Sequence, residues 1–259
     1  MATLQENIRQ ANSDFNAIKA KIIEKGVEIS EGTKTEEYAS KVGQIYDKGI
    51  DDERRRFWGI LTNYGQPTAT MRACFGGRGW TDEIFTPLFG LTPKGDAPYL
   101  FNSAYITDIA KCFEDYGTVF DTSLVTSTTS MFAFSIVKRI PFLDFSSVST
   151  SNYTFDGATR LEIIEGIKFS ERASFSNTFR SCTALKRMIV SGVIAQNGFN
   201  VKDSTLLDKE SITSIINTLS STTSGLTVTL SQTAVNNAFT TEEWDALIAT
   251  KSNWTITLL

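Results

Sequence analysis

The sequence predicts an α+β chain in three parts. N-terminal helices, including a short coiled coil, are followed by a small β-solenoid of repeated units and then an α/β cap. Three observations predict this. Apolar residues near the N-terminus follow a heptad pattern, a 24-residue period runs through the middle of the chain, and residues 208–259 switch between helical and alternating patterns.

Composition bounds the function first. Of 259 residues, 41% are hydrophobic and 21% charged, so an ordinary folded core is expected. Lys and Arg number 25 against 29 Asp and Glu, a net charge of −4, with a pI near 5.1. There is no basic excess to neutralise phosphates, so nucleic acid is not an expected partner. Mean hydropathy is −0.11, and no apolar run approaches the ~18 residues of a membrane-spanning helix, so no membrane insertion is expected. The opening Met1-Ala2-Thr3-Leu4-Gln5-Glu6-Asn7 is polar and lacks the pattern of a secretory signal. Histidine is absent, which removes Ser-His-Asp triads, Cys-His pairs and His-ligated zinc. Cys74, Cys112 and Cys182 fit no metal or disulfide spacing and read as small, partly buried apolar side chains.

Residues 1–50 form the expected attachment and oligomerisation segment. Leu4, Ile8, Ala11, Phe15, Ile18 and Ile22 recur in steps of 4, 3, 4, 3 and 4, the narrow seam of a coiled coil, and Gly26 is a stop signal. Thr33-x-x-Glu36 has capping-box form and precedes Tyr38, Val42 and Ile45 at helical spacing. Residues 51–99 read as a connector. A helix is expected over 52–64 with Phe57, Ile60, Leu61 and Tyr64 on one face and Glu53-Arg54-Arg55-Arg56 solvated. Gly76-Gly77-Arg78-Gly79-Trp80 lacks the Lys-Ser/Thr ending of a phosphate loop and reads as a turn that seats Trp80.

The repeat occupies residues 100–207. Phe132, Phe155 and Phe179 each precede an apolar frame: Val137/Ile140/Phe142, Leu161/Ile164/Gly166 and Leu185/Met188/Val190. The first frame position recurs 24 residues apart, and Gly166 departs from the pattern. Weaker copies flank these, Phe101 leading into Ile106 and Ile109 after a 31-residue interval, and Val201 leading into Leu206-Leu207. The period lies in the leucine-rich-repeat range. One such unit cannot bury its apolar face alone, so neighbours are expected to stack in continuous columns. The cap, 208–259, begins with Asp208 as N-cap to a helix carrying Ile212, Ile215, Ile216 and Leu219. Alternating strands are expected at 226–230 and 254–258. Between them a helix over 241–249 should have Glu242 and Glu243 in its first turn and Trp244, Leu247 and Ile248 inward.

Thr128-Thr129-Ser130-Met131-Phe132, the stretch from Thr178 to Lys186, and the stretch from Asp144 to Asn152 resemble the BspA-like leucine-rich repeats of bacterial surface proteins. The tail, from Asp208 through Leu226-Thr227-Val228-Thr229-Leu230 to Thr255, resembles the end of many such proteins in gut Firmicutes and their prophages. Ile22 to Ile29, with Tyr38-Ala39-Ser40-Lys41-Val42, is similar to N-terminal segments of phage tail and fibre-type virion proteins. The resemblance implies a virion protein assembled in the bacterial cytoplasm. It would form a homotrimer by analogy with fibres, attach to other virion proteins through its N-terminus, and use its repeats for receptor binding and adhesion to the host. The alternative is a BspA-like surface or interaction protein of the bacterium itself, outside any virion.

Lys138, Arg139, Glu162, Glu165, Lys186 and Arg187 lie between frame residues and should project from one side of the ladder. They are the candidate surface for a host protein or glycan, with Tyr153 and the Ser/Thr-rich stretch from Asp121 to Ser130 beside them. The carboxylate pairs Asp51/Asp52, Glu114/Asp115 and Glu162/Glu165 read as solvated charges, and no catalytic residue is assigned. Asp121, Asp144 and Asp156 could bind calcium but belong to no D-x-D-x-D-G loop, so no metal or other cofactor is expected. If residues 4–22 drive assembly, mass photometry should give an oligomer for the full chain and a monomer for one beginning near residue 50. Equal monomer masses would remove the coiled coil.

Overall fold

A computed structural model of the chain describes residues 75–77, 80–82, 85, 87 and 90–259. The heptad residues Leu4, Ile8, Ala11, Phe15, Ile18 and Ile22 lie outside these, as do the Thr33 capping box, the helix expected over 52–64 and Cys74.

Large aromatic residues at a fixed spacing need a fixed neighbour, and here each finds its counterpart in the next unit. Phe75, Phe101, Phe132, Phe155 and Phe179 are buried, and each successive pair of rings is stacked with centroids 5.1–5.4 Å apart. The backbone around each ring is a run of overlapping turns. Met131, Ala133 and Ser135 donate their N–H to carbonyls three residues back, while Ser130, Phe132 and Phe134 donate to Asn152, Thr154 and Asp156 of the next unit. The same alternation links Tyr153, Phe155 and Gly157 to Ser176, Thr178 and Arg180. This geometry puts the residues two before and two after the ring in the left-handed region: Ser130 and Phe134, Tyr153 and Gly157, Asn177 and Ser181. At Gly157 a β-carbon would lie 2.5 Å from the Phe134 ring, so glycine serves both the backbone angle and the close approach.

Short parallel strands form a second ladder. In chain order the strands and helices are β1 (Gly95–Asp96), α1 (Ile109–Asp115), β2 (Val125–Ser127), β3 (Arg139–Ile140), β4 (Leu143–Phe145), β5 (Ile163–Phe169), β6 (Arg187–Gly192), α2 (Lys209–Thr218), β7 (Leu226–Leu230), α3 (Gln232–Ala238), α4 (Thr241–Ala249) and β8 (Trp254–Leu258). β3 and β4 both pair with β5, and β5 pairs with β6, all in parallel. The register Arg139↔Ile163↔Arg187 sets Val137, Leu161 and Leu185 in equivalent places, each fully buried. A third line of parallel bridges joins Ser127, Thr150 and Ser174.

The inward frame differs from the sequence expectation at its third slot. Phe142 is 49% exposed, and Leu143, Ile167 and Val190 take the inward place. Pro141 separates β3 from β4, and the pattern slips there by one residue. Phe142 therefore turns out and lies over Gly166, where a β-carbon would approach its ring to 2.8 Å. A register shift between Ile164 and Ile167 absorbs the same extra residue in β5. The long interval from Phe101 to Phe132 also has a structural cause. α1 stands where the later units have a strand, beside the Asp108↔Arg139 bridge, and a helix needs more residues to cover the same length.

The far edge of the sheet is closed by α2. Asp208 caps it through Ser211 N–H, as the sequence predicts. Ser211 and Ser214 hydroxyls accept the N–H groups of Met188 and Val190 at 2.9 Å, and Thr218 donates to the Val190 carbonyl. Hydroxyls at positions 211, 214 and 218 share one helical face and replace the missing next strand. β7 and β8 pair in parallel from Leu226↔Trp254 to Leu230↔Leu258, with α3 and α4 as the crossover. The sequence reading missed α1 and α3. It also expected Trp244, Leu247 and Ile248 to face inward, whereas they are half-buried and α4 has no buried residue.

Two stability outcomes follow. Phe155→Ala should cost about 3–5 kcal/mol in denaturant unfolding, because the cavity would interrupt the ring column on both sides. Ser214→Ala should cost ~1–3 kcal/mol by leaving the Val190 N–H without an acceptor.

Candidate functional site

The ladder brings charged residues one unit apart into contact. Lys186 Nζ is 2.8 Å from a Glu162 carboxylate oxygen. Arg187 meets Asp208 at 3.1 Å and Glu210 at 2.8 Å. Arg139 bonds both Glu114 and Glu165 and lies 3.6 Å from Asp108. Lys138 is exposed near Glu162 and helps favour its charged form. All six residues singled out from the sequence thus lie along the ladder. Five of them are held by partners in adjoining units.

The partners Asp108, Asp208 and Glu210 were not foreseen as site residues, and Glu114 was read only as a solvated charge. Asp108 and Asp208 have a local role that the sequence can suggest, as N-caps of α1 and α2. Their second role depends on each helix standing beside a strand, which no local pattern encodes.

Arg139 is the best-connected of these residues. Its guanidinium holds the Glu114 carboxyl below the usual range, chiefly through their hydrogen bond. Lys186 does the same for Glu162. Of the carboxylate pairs weighed for catalysis, Asp51/Asp52 lies outside the described residues. The other two are committed elsewhere: Asp115 goes to Lys111 at 2.6 Å, Glu114 and Glu165 to Arg139, and Glu162 to Lys186. Asp156 is buried and grips Arg180 through two bonds at 2.7 and 2.5 Å, with the same Arg over the Tyr153 ring. Asp144 accepts the Ser146 N–H, and Asp121 accepts that of Ser123. Among the described residues no group of three or more His, Cys, Asp or Glu side chains is placed to hold a metal ion. Burial pushes the Cys112 thiol up to about 12 and moves Cys182 in the same direction, which suits inert packing rather than nucleophilic work.

Next to the Arg139 cluster is a cleft of about 280 Å³ between α1 and the β3–β4 break. Ala110, Phe113, Phe120, Pro141 and Phe142 line it, and Glu114 and Glu165 stand at its edge. Phe113 and Phe120 are stacked 5.6 Å apart, which makes that wall rigid. A larger concavity, about 460 Å³, is lined by polar residues including Ser146, Ser170, Glu171 and Arg172. Phe169 and Val193 are its apolar lining, and Glu171 and Arg172 are its charged residues. Comparison of the chain with protein-family models, curated proteins and solved structures returned no match.

The ion pairs imply an acid-sensitive ladder. Glu114 and Glu162 have folded-state values below their unfolded ones, so their stabilisation is complete above the ordinary carboxylate value, ~4.3. It is lost as pH falls from there through the depressed folded values. Thermal unfolding between neutral pH and pH 3 should show this fall, and Glu114→Gln with Glu162→Gln should flatten it.

Proposed function

We propose that this chain is a structural protein of a phage tail or fibre, and that its stacked units form a leucine-rich-repeat solenoid that binds a ligand on the host cell surface. In this reading residues 4–22 join sister subunits, with a trimer favoured, and the N-terminus meets other virion proteins. The particle is assembled in the bacterial cytoplasm, and the cap at 208–259 closes the outer end of the solenoid. The chain carries no catalytic activity.

The observation that supports the reading is the strand register Arg139↔Ile163↔Arg187, with its charged side chains at the pitch of the ladder. Stacked units with fixed backbone bonds present side chains on a stiff surface, and little conformational entropy is lost when a ligand settles on it. The commitment of Glu114, Asp115, Glu162 and Glu165 to internal cations favours binding over catalysis.

Mass spectrometry of purified particles should detect the chain at structural stoichiometry, and the full chain should bind host cells. Arg139→Glu combined with Arg187→Glu should abolish that binding. Finding the chain only on uninfected bacterial envelopes would favour the bacterial surface protein, and turnover of cell-wall polysaccharide would contradict the non-catalytic assignment.

A further inference from the structure

Phe142 is a large aromatic side chain that the fold holds out of its core. It is 49% exposed, yet Gly166 beneath it provides a flat seat for the ring. Val119 stands across the cleft and is 66% exposed. Two exposed apolar side chains beside Phe113, Phe120 and Pro141 leave an uncovered apolar cleft, whereas the other frame residues of the three central units are buried. At about 280 Å³ the cleft falls just below the usual range of small-molecule pockets, a size for one or two side chains.

Charge identifies the occupant. Asp108, Glu114 and Glu165 surround the single guanidinium of Arg139, so three carboxylates face one cation. The adjacent Lys111–Asp115 pair is neutral in sum. The cluster beside the cleft therefore has a formal excess of two negative charges, and two of its carboxylates, Glu114 and Glu165, line the cleft itself and retain lone pairs for a further donor. An apolar floor under an anionic rim suits an apolar side chain flanked by cations. A sugar would require more polar groups within the walls than this lining supplies.

We infer that the cleft between α1 and the β3–β4 break docks a protein partner through one large apolar side chain, Leu or Phe, flanked by Lys or Arg. The inference rests on the binding role proposed above and specifies its partner as protein and its contact point as Phe142 and Val119. Arg139 acts here as a positioning residue, since it fixes Glu114 and Glu165 at the rim.

The test uses the full chain against immobilised heptapeptides with a central Phe, Leu or Ala flanked by Lys, Gln or Glu, in parallel with binding to host cells. Lys-flanked Phe and Leu peptides should be retained at least tenfold better than Ala-centred or Glu-flanked ones, and the preference for Lys should shrink as salt rises. Phe142→Ser and Val119→Ser should each reduce retention at least tenfold, with circular dichroism and Tm unchanged. Glu114→Gln with Glu165→Gln should erase the preference for Lys over Gln. Protease treatment of the cells should remove binding, and periodate should not.

Peptide retention that ignores flanking charge, or that survives both apolar substitutions, would overturn the inference. So would cell binding lost to periodate alone, which would leave the wider binding role intact with a glycan as its ligand. Peptide retention without binding to any host cell would support the cleft and count against the host-recognition role.

Discussion

Around the stacked phenylalanines, every second backbone N–H leaves its own unit and reaches a carbonyl of the next. Phe132 to Thr154 and Phe155 to Thr178 are the central bonds, at 2.7 and 2.9 Å. The intervening N–H groups close turns within the unit, so the donors of these segments are satisfied without regular strand or helix. The arrangement forces left-handed backbone at Ser130, Phe134, Tyr153, Asn177 and Ser181, which costs about 1–2 kcal/mol for each non-glycine residue. The bonds and ring stacking between units offset that cost. No single unit could hold this conformation alone, and cooperativity between neighbours is built into the backbone.

A parallel sheet built this way has two open edges, and a helix covers each one. α2 supplies hydroxyls to β6, and α1 stands beside β3 at the Asp108↔Arg139 bridge. The two edges differ in chemistry. Serines bring α2 into hydrogen-bonding contact with its strand, whereas α1 leaves a gap where Pro141 breaks the strand and Phe142 turns outward. The cleft is a direct product of that break.

The charged residues on the ladder illustrate how stacking changes the meaning of a side chain. Glu162 and Lys186 are distant in sequence and look like independent solvated charges, yet one unit's offset puts them 2.8 Å apart. Exposed pairs of this kind contribute little each to stability. Their main effect is to fix side-chain positions on the surface and leave a local charge imbalance around Arg139. The candidate surface was legible in the sequence as a set of positions, because alternation assigns Lys138, Glu162 and Lys186 to the outside. The partners Asp108 and Glu114 were not legible, because their contact with Arg139 depends on α1 occupying a strand's place.

The sequence by itself determined the positions of the buried columns. Phe132, Phe155 and Phe179, together with Val137, Leu161 and Leu185, are spaced by chain length alone, and the Asp208 cap is local chemistry. Tertiary structure alone decided the slip at Pro141, the outward turn of Phe142 over Gly166, the placement of α1 and the clustering of three carboxylates on one arginine. The division has a physical basis. Periodicity and capping act over a few residues along the chain, whereas strand register and edge closure are settled by neighbours about a unit away in sequence and adjacent only after stacking.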